Sequence, residues 1–96
     1  MERYIFKTPD RIDSNNAGEL QDKMMAAVDE ALSGNADQFF VDMSDSKYIS
    51  SAGLRIMTLV YKKMRENKKS FTLGNVSESI RDVLDVTGLS GYLPME

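Results

Sequence analysis

The chain has 96 residues, of which 42% are apolar and 28% charged, so we assign residues 1–96 to one ordinary globular domain with a single core. It contains neither Cys nor His, which excludes disulfides, thiol nucleophiles, Cys/His zinc sites and every His-dependent acid–base mechanism. The net charge of −3 excludes a broadly basic surface for nucleic acid, and neither a bilayer-length apolar run nor a signal peptide is present. We therefore expect a cytoplasmic protein that does not insert into membranes, needs no cofactor and is not an enzyme.

The first third of the chain predicts a strand followed by a helix. Residues Arg3–Lys7 are aromatic and β-branched, and Pro9 ends the strand because it lacks a backbone donor. Asp13–Asn16 is a cluster of capping residues, and Ser33–Asn35 supplies a stop where Gly34 or Asn35 adopts the left-handed conformation. Between them, apolar residues recur at helical spacing: Ala17, Leu20, Met24, Ala27, Val28 and Ala31.

The middle of the chain predicts a buried strand, a polar loop and a second helix. Gln38–Met43 holds three consecutive large apolar residues, which indicates a strand covered on both faces. Ser44–Ser51 reads as a polar loop interrupted by Tyr48 and Ile49. Ala52–Glu66 is the second predicted helix, and its buried side comprises Ile56, Met57, Leu59, Val60 and Met64.

The last third predicts a strand, a helix and a short terminal segment. Ser70–Leu73 is the strand, Ser77 caps a third helix, and Gly88 ends it. Leu89–Leu93 is either a fourth strand or an extended tail. The apolar stripe of the third helix is Val76, Ile80, Val83, Leu84 and Thr87.

Alternating strands and helices predict an α/β domain with parallel strand pairs. In such domains the loops at the carboxyl ends of the strands carry the functional site. The loops in question are Thr8–Asn16, Ser44–Ser51 and Gly74–Ser77.

Two serines stand at the start of the second helix, and their chemistry can be read in two ways. Ser50 and Ser51 can cap the helix, since a Ser hydroxyl accepts a hydrogen bond from an early amide. The same unpaired amides and partial positive charge would also favour a phosphate on one of these hydroxyls. Gly53 has two explanations as well: close approach of a partner or phosphate, or packing of the helix on the sheet.

Other polar features predict less. The basic run from Lys62 to Lys69 is a solvated helix end favoured by the helix dipole. Neither Asp29–Glu30 nor the pair Asp42 and Asp45 has the partners that a metal site or an acid–base pair needs, and no Walker-type loop is present.

These motifs in combination resemble the STAS domain, and more narrowly the bacterial anti-sigma factor antagonists. The resemblance covers nearly the whole chain. The segments that carry it are Arg11–Ala17, Asp42–Ser44, Tyr48–Arg55, Leu73–Val76 and Val83–Leu89.

The resemblance implies an α/β fold with a mixed, mostly parallel sheet of about four strands against about three helices. It also implies a mechanism: the unphosphorylated protein binds an anti-sigma factor that is a serine kinase, phosphorylation at the start of the second helix releases it, and a serine phosphatase restores binding. The acceptor position falls on Ser51. Ser50 is the alternative, because family members often carry Asp there. The partner-binding residues that the resemblance implies are Asp13, Ser14, Asn15, Ser50, Ser51, Gly53, Leu54 and Arg55.

Two departures from the family pattern shape the expectations. Twelve residues precede Asp13, room for one strand instead of the usual hairpin, and the usual final helix is shortened away. An unpaired sheet edge would follow, and a homodimer through that edge strand is one way to cover it. The alternative function is a STAS subunit that is not phosphorylated, in a lipid-transport ABC system or a stress-signalling complex.

Overall fold

The computed structural model describes residues 2–96, which alternate strands and helices as the sequence predicts. The elements are β1 (Arg3–Lys7), β2 (Arg11–Ile12), α1 (Ala17–Ser33), β3 (Gln38–Asp42), β4 (Tyr48–Ile49), α2 (Ser51–Glu66), β5 (Ser70–Gly74), α3 (Glu78–Thr87) and a 3-10 helix (Leu89–Gly91).

The main sheet has three parallel strands in the order β1-β3-β5. Its register places Phe40 of β3 opposite Ile5 of β1 and Thr72 of β5. Because β3 is central, Phe39, Phe40 and Val41 are all buried, which confirms the prediction of a strand covered on both faces. Within residues 2–96, β1 pairs on one side only, so the homodimer through this edge stays a prediction.

Helix α1 follows its predicted apolar stripe closely, whereas in α3 only Ile80 and Leu84 of the predicted stripe are buried and Thr87 is exposed. The six buried positions of α1 are those that the spacing indicates, because a helix in contact with a sheet buries one stripe. Of the two candidates for the left-handed turn after α1, Asn35 takes it with a φ of 58°. The prediction for Leu59 is wrong: 39% of this residue is exposed, because it lies beside the stripe of α2 rather than in it.

The outer face of the main sheet is covered by side chains rather than by a helix. The Arg3 guanidinium lies 4.4 Å from the centre of the Phe40 ring and forms a 2.6 Å ion pair with Glu96. A Cβ on Gly74 would overlap the Phe40 ring, so glycine at this position lets the ring lie flat on the sheet. Ile5 stays 60% exposed on the same face.

The sequence misplaced three short segments. Tyr48–Ile49 and Arg11–Ile12 lie in predicted loops, but they form β4 and β2, a separate parallel sheet of two strands. The predicted single sheet of about four strands is therefore a sheet of three plus a sheet of two. Leu89–Gly91 is a 3-10 helix, and the strand-like pairing comes later, at a bridge between Met95 and Leu73.

Among residues 2–96, none of the helices combines the length and the apolar character that crossing a bilayer requires.

Candidate functional site

The two-stranded sheet brings the first two predicted loops together. Ile12 of β2 and Ile49 of β4 lie opposite each other and are buried. The parallel ladder continues one step, since the Ser50 amide donates to the Ile12 carbonyl at 2.8 Å. Asp13 follows Ile12 just as Ser50 follows Ile49, so both residues emerge at the same end of this sheet. The sequence predicted that these two loops lie at the same edge of the fold, but it did not predict the β2–β4 ladder that brings them together.

Asp13 is held rigidly at the start of α1. Its Oδ1 accepts hydrogen bonds from the amides of Asn15 (2.9 Å) and Asn16 (3.3 Å), and its Oδ2 accepts one from Arg11 Nε (2.9 Å). Desolvation raises the pKa of Asp13, but the hydrogen bonds from Asn15, Arg11 and Asn16 together outweigh it and hold the pKa below the ordinary value. The carboxylate therefore stays ionised and already has a positive partner.

The capping cluster works differently from the simple prediction. Asn16 is the N-cap residue of α1 but makes no side-chain cap bond. Its Oδ1 accepts from the Asp13 amide at 2.9 Å, and its Nδ2 donates to the Arg11 carbonyl at 2.6 Å. Ser14 and Asn15 are both exposed. The cluster thus fixes the loop, with Ser14 and Asn15 on the surface where the resemblance places partner contacts.

Ser50 and Ser51 have different environments. Ser50 is the N-cap of α2, and its Oγ accepts from the Gly53 amide at 3.3 Å. Ser51 is the first residue of α2 and is exposed. No acidic residue lies in the first turn of α2, whereas α1 has Glu19 and α3 has Glu78 there. The first turn of α2 itself therefore supplies no negative charge to the positive end of the helix dipole beside the exposed hydroxyl.

Gly53 and Leu54 lie in the interior. A Cβ at Gly53 would stand 2.6 Å from Ile12 Cγ2 and 2.7 Å from Ile49 Cγ1, so glycine lets α2 pack closely on the two-stranded sheet. Leu54 is only 6% exposed. Of the two explanations for Gly53, the structure supports packing. Both residues can shape a docking surface from beneath, but neither presents a side chain to it.

One feature of the site escaped sequence reasoning: an arginine stacked on a tyrosine. Arg11 and Tyr48 are paired across β2 and β4, and the Arg11 guanidinium carbon lies 4.4 Å from the centre of the Tyr48 ring. Tyr48 is 44% exposed, so the stacked pair lies on the surface next to Ser50 and Asp13. No local signal could have found it, because the two residues Tyr48 and Ile49 are too few for the alternation of a strand to be recognised.

Two other carboxylates, Asp42 at the end of β3 and Asp45 in the loop that follows, also have local partners. Asp42 Oδ1 accepts from Asn75 Nδ2 and from the Ser44 amide, each at 3.0 Å, and these hydrogen bonds lower the pKa of Asp42. Asp45 forms a 3.3 Å ion pair with Lys7. Within residues 2–96, no three acidic side chains converge in a way that could hold a metal ion.

Known proteins resemble this chain in sequence and in fold. The family model for the STAS domain matches residues 2–96. A Bordetella bronchiseptica protein named "Putative anti-sigma factor antagonist BtrV" is 30% identical over 84 residues, which are 88% of this chain and 69% of that protein. An anti-sigma factor antagonist from Mycobacterium paratuberculosis has a similar crystal structure, with a TM-score of 0.83 and 22% identity over 97% of this chain and 75% of the other. The Bacillus cell fate determinant SpoIIAA in its phosphorylated form matches with a TM-score of 0.69 and 15% identity, over 99% of this chain and 83% of the other.

Proposed function

This chain belongs to the STAS domain family, and we propose that within it the protein acts as an anti-sigma factor antagonist. In the proposal, the unphosphorylated form binds an anti-sigma factor that is also a serine kinase. That kinase phosphorylates Ser51, the phosphorylated protein dissociates, and a serine phosphatase restores the binding form. The protein is then a substrate and a ligand, not an enzyme, and regulates transcription only through its partner.

The observation that carries the proposal is the contrast between the two serines. Ser50 uses its hydroxyl as the cap of α2, whereas Ser51 is exposed on the first turn of that helix. A kinase needs a hydroxyl that it can reach, and a phosphate needs a site that tolerates its charge. Ser51 meets both conditions, since helix N-termini favour anions. Two of the similar proteins agree with this role, since BtrV is named as a putative anti-sigma factor antagonist and SpoIIAA has a structure in a phosphorylated form.

Phosphorylation would weaken docking through charge and desolvation. A phosphate adds roughly −1.5 to −2 charges, and a docked partner would cover it. Burying such a charge, or placing it against acidic groups of the partner, costs several kcal/mol. A loss of about 4 kcal/mol lowers affinity roughly a thousandfold. That is sufficient for a switch in which the fold itself does not change.

The test uses the full chain as bait in a lysate of the source bacterium, in four versions: wild type, Ser51→Ala, Ser51→Asp and Ser77→Asp. Ser77 is the N-cap of α3, so Ser77→Asp adds the same charge at another helix start and serves as the matched control. We expect wild type, Ser51→Ala and Ser77→Asp to retain one serine kinase and Ser51→Asp to lose it.

The retained kinase is then purified and incubated with ATP and each version, and the phosphate is located by mass spectrometry. One phosphate on Ser51, absent from Ser51→Ala, is the expected result. Phosphate on Ser50 would reassign the acceptor. Retention of a transporter ATPase instead, with no phosphate in cells, would replace the proposal with the alternative STAS subunit.

A further inference from the structure

Two arginines belong to the elements that meet at the start of α2, where Ser51 lies. Arg11 approaches from β2, where its guanidinium lies on Tyr48 and bonds to Asp13 at the end of the ladder that leads to Ser50. Arg55 lies four residues after Ser51 on α2, so the two side chains share one face of the helix one turn apart. Both arginines are exposed.

The two arginines differ in their present partners. Arg11 Nε is engaged with Asp13, but a guanidinium has five N–H donors, so most of the fork stays available. Arg55 forms no ion pair of 4 Å or less with any acidic group among residues 2–96. The first turn of α2 has no carboxylate that would compete with a phosphate for the two guanidinium groups.

The Tyr48 ring preorganises this arrangement. Stacking fixes the plane of the Arg11 guanidinium, which reduces the side-chain entropy that a new ion pair would cost. Arginine forks bind phosphate oxygens in pairs, which makes them the usual protein ligand for a phosphorylated side chain. Asp13 is neutralised by Arg11, so a phosphate arriving here meets a paired carboxylate rather than a free one.

We propose that Arg11 and Arg55 form an internal clamp that binds the phosphate on Ser51, an inference that rests on the proposed phosphorylation of this residue. Phosphorylation forms a bond between Ser51 Oγ and the γ-phosphorus of ATP, breaks the bond from that phosphorus to the bridging oxygen, and releases ADP and the hydroxyl proton. The clamp then holds the phosphate against the chain's own surface. Any acidic group of a partner that used these two cations would lose them, so charge pairing within the chain and loss of docking would act in the same direction.

The experiment places phosphoserine at position 51 of the full chain during biosynthesis, which needs no kinase. The second pKa of the phosphate is then measured by phosphorus NMR titration in wild type and in Arg11→Gln, Arg55→Gln and the double variant. Because nearby cations favour the dianion, we expect the pKa in the double variant to lie above that of wild type by roughly half a pH unit or more, the scale of an exposed ion pair. The single variants should lie between these two values.

Arg65→Gln is the matched control, since Arg65 is exposed near the far end of the same helix. The phosphate pKa of this variant should equal that of wild type. Equal pKa values in wild type and the double variant would overturn the clamp, and so would an equal shift from Arg65→Gln. Amide spectra of each variant confirm the fold. Because no kinase takes part, the titration tests the clamp even if the protein has no kinase partner. Conversely, if a kinase modifies Ser51 but the arginine variants leave the phosphate pKa unchanged, the proposed function stands and the clamp is wrong.

Discussion

Replacing Gly53 with alanine tests how tightly α2 packs on the two-stranded sheet. The added methyl group would stand 2.6 Å from Ile12 Cγ2 and 2.7 Å from Ile49 Cγ1, closer than carbon atoms can approach. Both isoleucines are buried, at 0% and 4% exposure, and both are stiff at the first side-chain torsion. The helix must therefore shift outward, or the strands must deform.

Two opposing terms set the magnitude. Alanine is favoured over glycine in a helix by up to about 1 kcal/mol. Overpacking a filled core costs about 1–3 kcal/mol. We expect Gly53→Ala to lower the free energy of unfolding by about 1 kcal/mol, because the packing cost outweighs the gain in helix propensity.

Gly18→Ala is the matched control, because Gly18 also lies in the first turn of a helix, α1, and a Cβ there meets nothing within 4 Å. This variant should gain stability, by up to about 1 kcal/mol. The propensity term is common to both variants. The difference between them therefore isolates the overpacking cost, about 1–3 kcal/mol.

The assay is urea unfolding followed by far-ultraviolet circular dichroism, with the slope of the transition compared between variants. Amide chemical shifts of Ser50 and Ser51 should change in Gly53→Ala, since these residues ride on the displaced start of α2. If Gly53→Ala proves as stable as Gly18→Ala, the close packing of α2 on Ile12 and Ile49 is wrong. A stable variant with unchanged Ser50 and Ser51 shifts would also contradict it.

Ser50→Ala should lower the free energy of unfolding by about 1 kcal/mol because it removes the α2 cap, whereas Ser51→Ala should change it by less than about 0.5 kcal/mol. Equal losses in urea unfolding would show that the cap assignment is mistaken. Asp13 has a lowered pKa, so its ionised form contributes stability that is present above the ordinary pKa near 3.9 and is lost as the pH falls through the lowered value. Thermal melts from pH 6 to pH 2 should therefore decline more steeply in wild type than in Asp13→Asn, and parallel curves would refute this. Gly74→Ala should destabilise by about 1–3 kcal/mol because the methyl overlaps the Phe40 ring, and adding Phe40→Leu should recover part of the loss in the same denaturation assay.

The regular elements were predictable because their signals are local. Helix α1 has its apolar residues at steps of three and four and stops at Ser33–Asn35, and all six of its predicted core positions are buried. Ser77 and Gly88 cap α3 as expected, with the Ser77 Oγ accepting from the Ile80 amide and Gly88 at a φ of 80°. Strands β2 and β4 escaped because two residues each are too few for alternation to be recognised, and only the partner strand makes them strands.

In the candidate site, too, local patterns identified some features and only the tertiary structure identified others. The resemblance and the local capping pattern singled out Ser50, Ser51 and Asp13 from the residues alone. Which of the two serines caps the helix depended on the backbone at position 50, where a φ of −89° and a ψ of 173° aim the hydroxyl at the Gly53 amide. The Arg11–Tyr48 stack joins residues 37 positions apart along the chain, and no local pattern predicts such a contact.

The sequence by itself determined the fold class, the helix faces and the neighbourhood of the site, because periodicity, caps and composition act within a few residues. It also excluded chemistry that needs Cys or His. Only the tertiary structure decided that Gly53 is buried packing rather than open surface, that Asp13 is paired with Arg11, and that Ser51 rather than Ser50 is the exposed hydroxyl. The packing of Gly53 depends on the short β2–β4 ladder, which aligns two loops far apart in the chain and places Ile12 and Ile49 together beneath α2.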